Sequence, residues 1–225
     1  MKKLKRTLYP IFTCSILIFC LVGVYGIITA PSEKDNTDQL KLEEELEANS
    51  KAIEEDSDDN LVKTEEDKES QKSSTITIIG DSVMLGAAPS VKEKIPGCII
   101  DAKKSRQAKE CVGILKQLDK QNKLGDTVVI ALGVNGPFDK EEGQKILDYL
   151  GKRRKVYWVT AYGRGVKWQN IVNNTIEELS QENSNLRVID WSSIGDSHKS
   201  WFYSDGIHLN GEGQVGYADF IANQI

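Results

Sequence analysis

The chain has 225 residues, 39% hydrophobic and 28% charged, with four cysteines, two histidines and a formal net charge of −5. That composition excludes a collagen-like, a wholly disordered or a multi-span membrane protein, and the length suits one domain with additions or two small domains. The charge is unevenly spread: residues 1–30 carry four Lys/Arg and no acid, residues 31–73 six Lys against sixteen Asp/Glu, and residues 74–225 nineteen Lys/Arg against eighteen acids. With the last piece so close to neutral and lacking a concentrated basic face, a general nucleic-acid binder is disfavoured.

In chain order, a basic N-terminus (1–10) precedes an uncharged, mainly apolar run of 20 residues from Ile11 to Ala30. At about 1.5 Å per residue, a helix of that length matches a hydrocarbon core of about 30 Å. Lys2, Lys3, Lys5 and Arg6 before it predict a cytoplasmic N-terminus and a single-pass membrane anchor. Cleavage as a secretory signal is disfavoured, because the candidate site after Thr29-Ala30 has Ile28 at the −3 position and Pro31 next. Cys14 and Cys20 fall within the span as apolar filler. Residues 31–73 are rich in Glu, Asp, Lys and Ser and have no aromatic residue, which predicts a self-repelling, disordered spacer. Leu40, Leu42, Leu46 and Ile53 would support at most a fluctuating helix there.

From residue 74 the pattern changes. TITIIGDS, CIIDAK, DTVVIALG, KVYWVTAY and LRVIDW are five apolar or β-branched runs, and most are separated by helical spacing over 106–123, 139–150 and 167–182. Gly211 to Ile225 supplies a closing helix. Continuous apolar strands alternating with helices predict a parallel sheet covered on both faces. The domain 74–225 is accordingly expected to be an α/β protein, a three-layer α/β/α sandwich with a five-stranded parallel sheet, flavodoxin-like in kind. Ligands of such sheets bind beyond the carboxyl ends of the strands, which is where chemistry is sought.

The first run ends in Gly80-Asp81-Ser82-Val83, where Gly80 permits a tight exit and Ser82 opens the next segment. A serine nucleophile needs a base. His208 follows Asp205 by three residues, across a turn eased by Gly206, so Asp205 can hold one ring nitrogen while the other takes the serine proton. The third run ends in Gly133-Val134-Asn135-Gly136, which can aim the Asn135 amide at a developing oxyanion. Each motif alone is weak; together they specify a Ser82, Asp205, His208 triad with Asn135 as an oxyanion donor. His198 reads as surface or substrate rim. Cys98 and Cys111 are open between a disulfide and buried thiols. Two histidines and no clustered cysteines disfavour a metal site, and no nucleotide-binding motif is present, so no cofactor is expected.

GDSV (80–83), GVNG (133–136) and DGIHL (205–209) resemble blocks I, III and V of the SGNH (GDSL-like) serine hydrolase superfamily. More narrowly, IDAKKSRQ (100–107), IALGVNG (130–136) and WFYSDGIHLNGEG (201–213) are similar to extracytoplasmic domains of Gram-positive peptidoglycan O-acetyltransferases. The resemblance covers essentially all of 75–225. It implies Ser82 as nucleophile, His208 as general base and acid, Asp205 as its orienting partner, and the Ser82 backbone N–H with Asn135 as oxyanion donors. The second block usually supplies a glycine whose N–H completes the oxyanion hole; here Ser105 stands in its place, which preserves the donor if the conformation does not require positive φ. Arg106 and Gln107 beside it are candidate contacts to a carboxylate or sugar hydroxyl, and Trp201 a candidate platform for a sugar ring.

The resemblance further implies acyl transfer through an acetyl-Ser82 intermediate on O-acetyl groups of cell-wall glycan, outside the cell membrane. The fused acetyltransferases carry a multi-span domain that delivers the acetyl group, whereas here a single span is expected. Either a separate membrane protein acts as acetyl donor, or the enzyme works as an esterase. The remaining alternative is a tethered, catalytically silent glycan-binding module.

Overall fold

Ile76–Gly80 (β1), Ile99–Ala102 (β2), Thr127–Ala131 (β3), Lys155–Val159 (β4) and Leu186–Ile189 (β5) pair into one sheet in the order β2-β1-β3-β4-β5, and every pairing is parallel. The computed structural model describes residues 33–59 and 75–225. The basic N-terminus and the expected anchor at 11–30 lie outside the described residues, among which no helix is long and apolar enough to cross a membrane. All the packing considered below falls within the unit Leu40–Ile225.

The helices, in chain order, are α1 (Glu33–Asp59), α2 (Ser82–Lys94), α3 (Cys111–Lys120), α4 (Lys140–Leu150), α5 (Gln169–Glu182), α6 (Trp191–Ser197) and α7 (Gly211–Ala222). Successive strand residues point to opposite faces, and here both faces are covered. Ile78, Val129 and Tyr157 pack with α2, α6 and α7, whereas Ile79, Val128, Ile130 and Trp158 pack with α3, α4 and α5. This explains strands that read as unbroken apolar runs, and the three-layer α/β/α sandwich is the architecture the sequence implies. Cys98 belongs to the first core and Cys111 to the second, so the sheet separates the two thiols and no disulfide joins them. Burial pushes the Cys111 thiol up to about 12, which leaves it inert as a nucleophile.

The register positions the site. Gly80 lies beside Ala102 on one side and Ala131 on the other, so β1, β2 and β3 release their chains along one edge. In the 2-1-3-4-5 order the crevice between β1 and β3 is the switch point where ligands of this architecture bind. A Cβ on Gly80 would sit 2.2 Å from the Met84 Cβ, so only glycine lets α2 begin directly at the strand end.

Two helices depart from expectation. α2 carries no amphipathic period because its first turns are buried all round, from Ser82 through Ala88. The other is α1, within the segment expected to be a disordered spacer. Leu42 and Leu46 are buried against the α2 side of the core, with Ile53 half-buried on the same stripe. Tertiary packing, not local preference, holds this acidic helix. Asn49, between them on the stripe, donates to the carbonyls of Leu85 (3.0 Å) and Gly86 (3.1 Å). The Leu85 carbonyl is the one that Pro89, lacking an N–H four residues on, leaves without its intrahelical partner.

Asn49→Ala is therefore expected to lower the unfolding free energy by about 1–2 kcal/mol. In a Pro89→Ala background, whose new N–H serves Leu85 directly, the same change costs less. Chemical denaturation of the two single variants and the double variant measures the difference; equal costs in both backgrounds would exclude this account.

Candidate active site

Ser82 is the first residue of α2, and Asp81 caps the helix by accepting the Val83 N–H at 2.9 Å. His208 arrives from the opposite end of the domain on the loop before α7. That loop is a tight hairpin: Phe202 and Leu209 form an antiparallel bridge, and Tyr203 N–H donates to the His208 carbonyl at 2.8 Å. Gly206 N–H donates to the Tyr203 carbonyl at 2.9 Å, with Gly206 at φ 69°, where a side chain would be strained. Asp205 Oδ1 accepts the amides of Ile207 (2.8 Å) and His208 (3.0 Å), which turns its other oxygen toward the imidazole.

The three side chains meet. His208 Nδ1 lies 2.6 Å from Asp205 Oδ2, and His208 Nε2 lies 2.9 Å from Ser82 Oγ. An ionised carboxylate only accepts, so Nδ1 carries the proton and Nε2 accepts from the serine hydroxyl. Burial raises the Asp205 carboxyl, but the hydrogen bonds from His208 and the two amides outweigh it and hold the group below its ordinary value. Ser82 is only 4% exposed, whereas the Asp205 side chain is 38% exposed.

Beyond the end of β3, Asn135 has its Nδ2 buried and without a hydrogen-bond partner among the described residues. Its backbone carbonyl accepts from Gln107 Nε2 at 2.9 Å, so Gln107 braces the Asn135 loop. Ser82 N–H, at the positive end of α2, is among the amides that have no partner within a helix. Ser105 is the third residue of a turn closed by Arg106 N–H to the Lys103 carbonyl (3.4 Å), and its φ is 61°. The turn thus does require positive φ, contrary to the condition set from the sequence, but the serine adopts it at a cost of about 1–2 kcal/mol and so keeps a backbone N–H in the glycine-type conformation.

The candidate substrate contacts are corrected. Arg106 is 7% exposed and points inward, its guanidinium bonded to the Gly80 carbonyl (3.2 Å), the Asp101 carbonyl (2.5 Å) and the Asp101 carboxylate (2.6 Å). It ties the turn after β2 to the end of β1. Trp201 stacks on His198 at 4.0 Å and lies where Cβ atoms on Gly213 and Gly216 would go, so it packs against α7. His198 in turn holds the Ile194 carbonyl through Nδ1 at 2.9 Å.

Two further residues belong to the site region. Arg164 donates its backbone N–H to the Gly206 carbonyl (2.8 Å) and its guanidinium to the Ser204 carbonyl (2.5 Å), bracing the triad loop; nothing in the sequence signals this. Asp81 is buried between α2 and the β3 exit, held by the amides of Val83, Met84 and Val134. Its place before a helix starting at Ser82 is the signature of an N-cap, which would have revealed it. Burial pushes its carboxyl from 3.8 up to about 6, against the opposing pull of those amides and of His208.

A Ser–His–Asp line at the carboxyl edge of a 2-1-3-4-5 parallel sheet, with Asp and His on one loop before the last helix, has the form of an SGNH-type serine hydrolase site. No family model matches the chain. An O-acetyltransferase of Staphylococcus aureus is 35% identical over 159 residues, which are 70% of this chain and 26% of that protein. The chain thus spans about a quarter of the length of the curated relative it matches. The C-terminal catalytic domain of peptidoglycan O-acetyltransferase A from Streptococcus pneumoniae superposes with a TM-score of 0.60 at 28% identity, covering 67% of this chain and 91% of that one. A lipolytic protein of the G-D-S-L family from Veillonella parvula, 14% identical with a TM-score of 0.55 over 67% of this chain and 97% of its own, shares the fold. The domain is SGNH-like in fold and similar to the catalytic domain of a peptidoglycan O-acetyltransferase.

Ser105→Gly is expected to stabilise the domain by up to about 1 kcal/mol, since relief of the left-handed strain exceeds the added chain entropy. Denaturation midpoints test this, and a loss of stability would contradict the strain. For Asp81, the raised value means that the folded state binds the proton more tightly than the unfolded chain. Stability from this group is therefore present at low pH and lost as pH rises through the window from 3.8 to about 6. The unfolding free energy of the native chain minus that of Asp81→Asn is expected to fall by roughly 3 kcal/mol across that window. A difference that does not change with pH would refute it.

Proposed function

We propose that this protein is an extracytoplasmic serine O-acetyltransferase acting on cell-wall glycan, held at the membrane by residues 11–30. The observation that carries the reading is the unbroken hydrogen-bonded line from Ser82 through His208 to Asp205. Similarity to a peptidoglycan O-acetyltransferase catalytic domain across 91% of its length supports the choice of glycan and of acetyl as the acyl group.

Ser82 Oγ attacks the acetyl carbonyl as His208 Nε2 takes its proton, and Asp205 stabilises the imidazolium that results. The tetrahedral oxyanion is received by Asn135 Nδ2 and by the backbone N–H groups of Ser82 and Ser105. Its collapse expels the donor's alkoxide, protonated by His208, and leaves acetyl-Ser82. A sugar hydroxyl, deprotonated by His208, then attacks the acetyl-serine; a second collapse returns the serine and leaves the acetyl ester on the glycan. Water in place of the sugar would make the enzyme an esterase with the same residues. Which acceptor wins depends on how the cleft excludes water and seats the sugar.

The test uses the full chain in detergent micelles with an activated aryl acetate, with and without chitooligosaccharides. Mass spectrometry is expected to find an acetyl group on Ser82 and acetylated sugar accumulating ahead of free acetate. Ser82→Ala should fold normally and lose turnover by about 10³-fold or more. Free acetate alone, insensitive to the sugar, would turn the assignment to esterase. Absence of acetyl-Ser82 would overturn acyl transfer and leave a glycan-binding module.

A further inference from the structure

We infer that the acidic helix α1, from Leu40 onward, is a strap that positions the catalytic loop, and that Glu45 is its positioning residue; this rests on the acyl-transfer reading of Ser82 and His208. The docked stripe of α1 is Leu42, Glu45, Leu46, Asn49 and Ile53, whereas Leu40 faces outward and is 73% exposed. The leucines and Asn49 account for its attachment to α2. Glu45 does something else. Its two carboxylate oxygens both lie 3.0 Å from the Tyr203 hydroxyl, and one also accepts from Gln214 Nε2 of α7 at 3.2 Å.

Tyr203 is only 7% exposed, and its backbone closes the triad loop at both ends. Its N–H holds the His208 carbonyl and its carbonyl holds the Gly206 N–H. The ring is consequently pinned at its hydroxyl by α1 while its backbone brackets Asp205 and His208. A second contact of α1 is an exposed ion pair between Glu43 and Lys104, the residue before Ser105. One helix thus reaches both the triad loop and the turn at Ser105. Docking for burial alone would need neither contact, and an acidic stretch serving as a plain spacer would make none.

Holding the triad loop in place matters because acyl transfer is sensitive to small misplacements of its groups. A shift of about 1 Å can cost about a hundredfold in rate. Tyr203 and Glu45 touch no reacting atom, so their effect should fall on the chemical step and not on ground-state binding. A charge-assisted hydrogen bond is also replaceable: a carboxamide oxygen at position 45 accepts from the same hydroxyl.

The experiment compares the full-length native chain with Glu45→Ala, Glu45→Gln, Tyr203→Phe and the combination of Glu45→Ala with Tyr203→Phe. Glu47→Ala, on the exposed face of α1 where Glu47 pairs with Lys51, is the control. Turnover of the activated aryl acetate and hydrogen exchange across residues 202–209 are both read. Glu45→Ala is expected to lower kcat about 10-fold with KM changed less than about twofold. Tyr203→Phe should match it, the combined variant should add nothing, and Glu45→Gln should restore most of the rate. Exchange at 202–209 should quicken in the Ala and Phe variants and remain native in Glu47→Ala. Native kcat and native exchange in Glu45→Ala would overturn the strap, as would an equal loss in Glu47→Ala. If the native chain forms no acetyl-Ser82, the acyl-transfer reading fails and with it the catalytic role of the strap, while exchange alone still decides whether α1 holds the loop.

Discussion

The row Ala102, Gly80, Ala131, in which three parallel strands end side by side, sets where the chain can turn out of the sheet and hence where Ser82, the Ser105 turn and Asn135 can be. Parallel pairing forces each strand to return through a crossover, so all the exits fall on one edge. Gly80 sharpens the arrangement by letting α2 start at once, which aims its positive end into the crevice. His208 then needs only to be delivered to this edge, and it comes from 126 residues away on a hairpin bracketed by Tyr203 and braced by Arg164.

Around that edge the protein accepts local cost to hold its groups still. Asp81 is a buried carboxylate whose desolvation opposes folding, yet its oxygens join the first turn of α2 to the Val134 amide beside Asn135. Ser105 adopts a backbone conformation suited to glycine, in a turn whose following residue, Arg106, is bonded back to β1. Strain and buried charge persist only where the surroundings leave no cheaper arrangement. Here those surroundings are the two cores on either face of the sheet, which fix the strand ends from which both features hang.

The acidic segment illustrates why composition misleads about order. Its Glu and Asp content gives no reason for a helix to stay folded by itself, and the sparse leucines are too few for an independent core. What the segment has is a partner. Pro89 interrupts the hydrogen bonding of α2, Asn49 answers it, and Leu46 lies against the bare backbone of Gly86. None of these matches can be read from 31–73 alone, because each depends on a surface built some forty residues further on.

Taken by itself, the sequence determined the fold class and the identities at the triad. Unbroken β-branched runs between periodic helices leave few architectures, and Gly80-Asp81-Ser82 with Asp205-Gly206-Ile207-His208 sets local turn geometry within a few residues. It also placed Asn135 at a strand exit, as the structure does. Only the tertiary structure decided the direction of long side chains: Arg106 turned inward to Asp101, Gln107 spent on the Asn135 carbonyl, and Trp201 laid on α7. It alone put the two thiols on opposite sides of the sheet and seated α1 against the domain. The physical reason is range: turns and periodicity are governed by neighbours in the chain, whereas burial and long-range hydrogen bonds depend on which distant surface arrives to meet them.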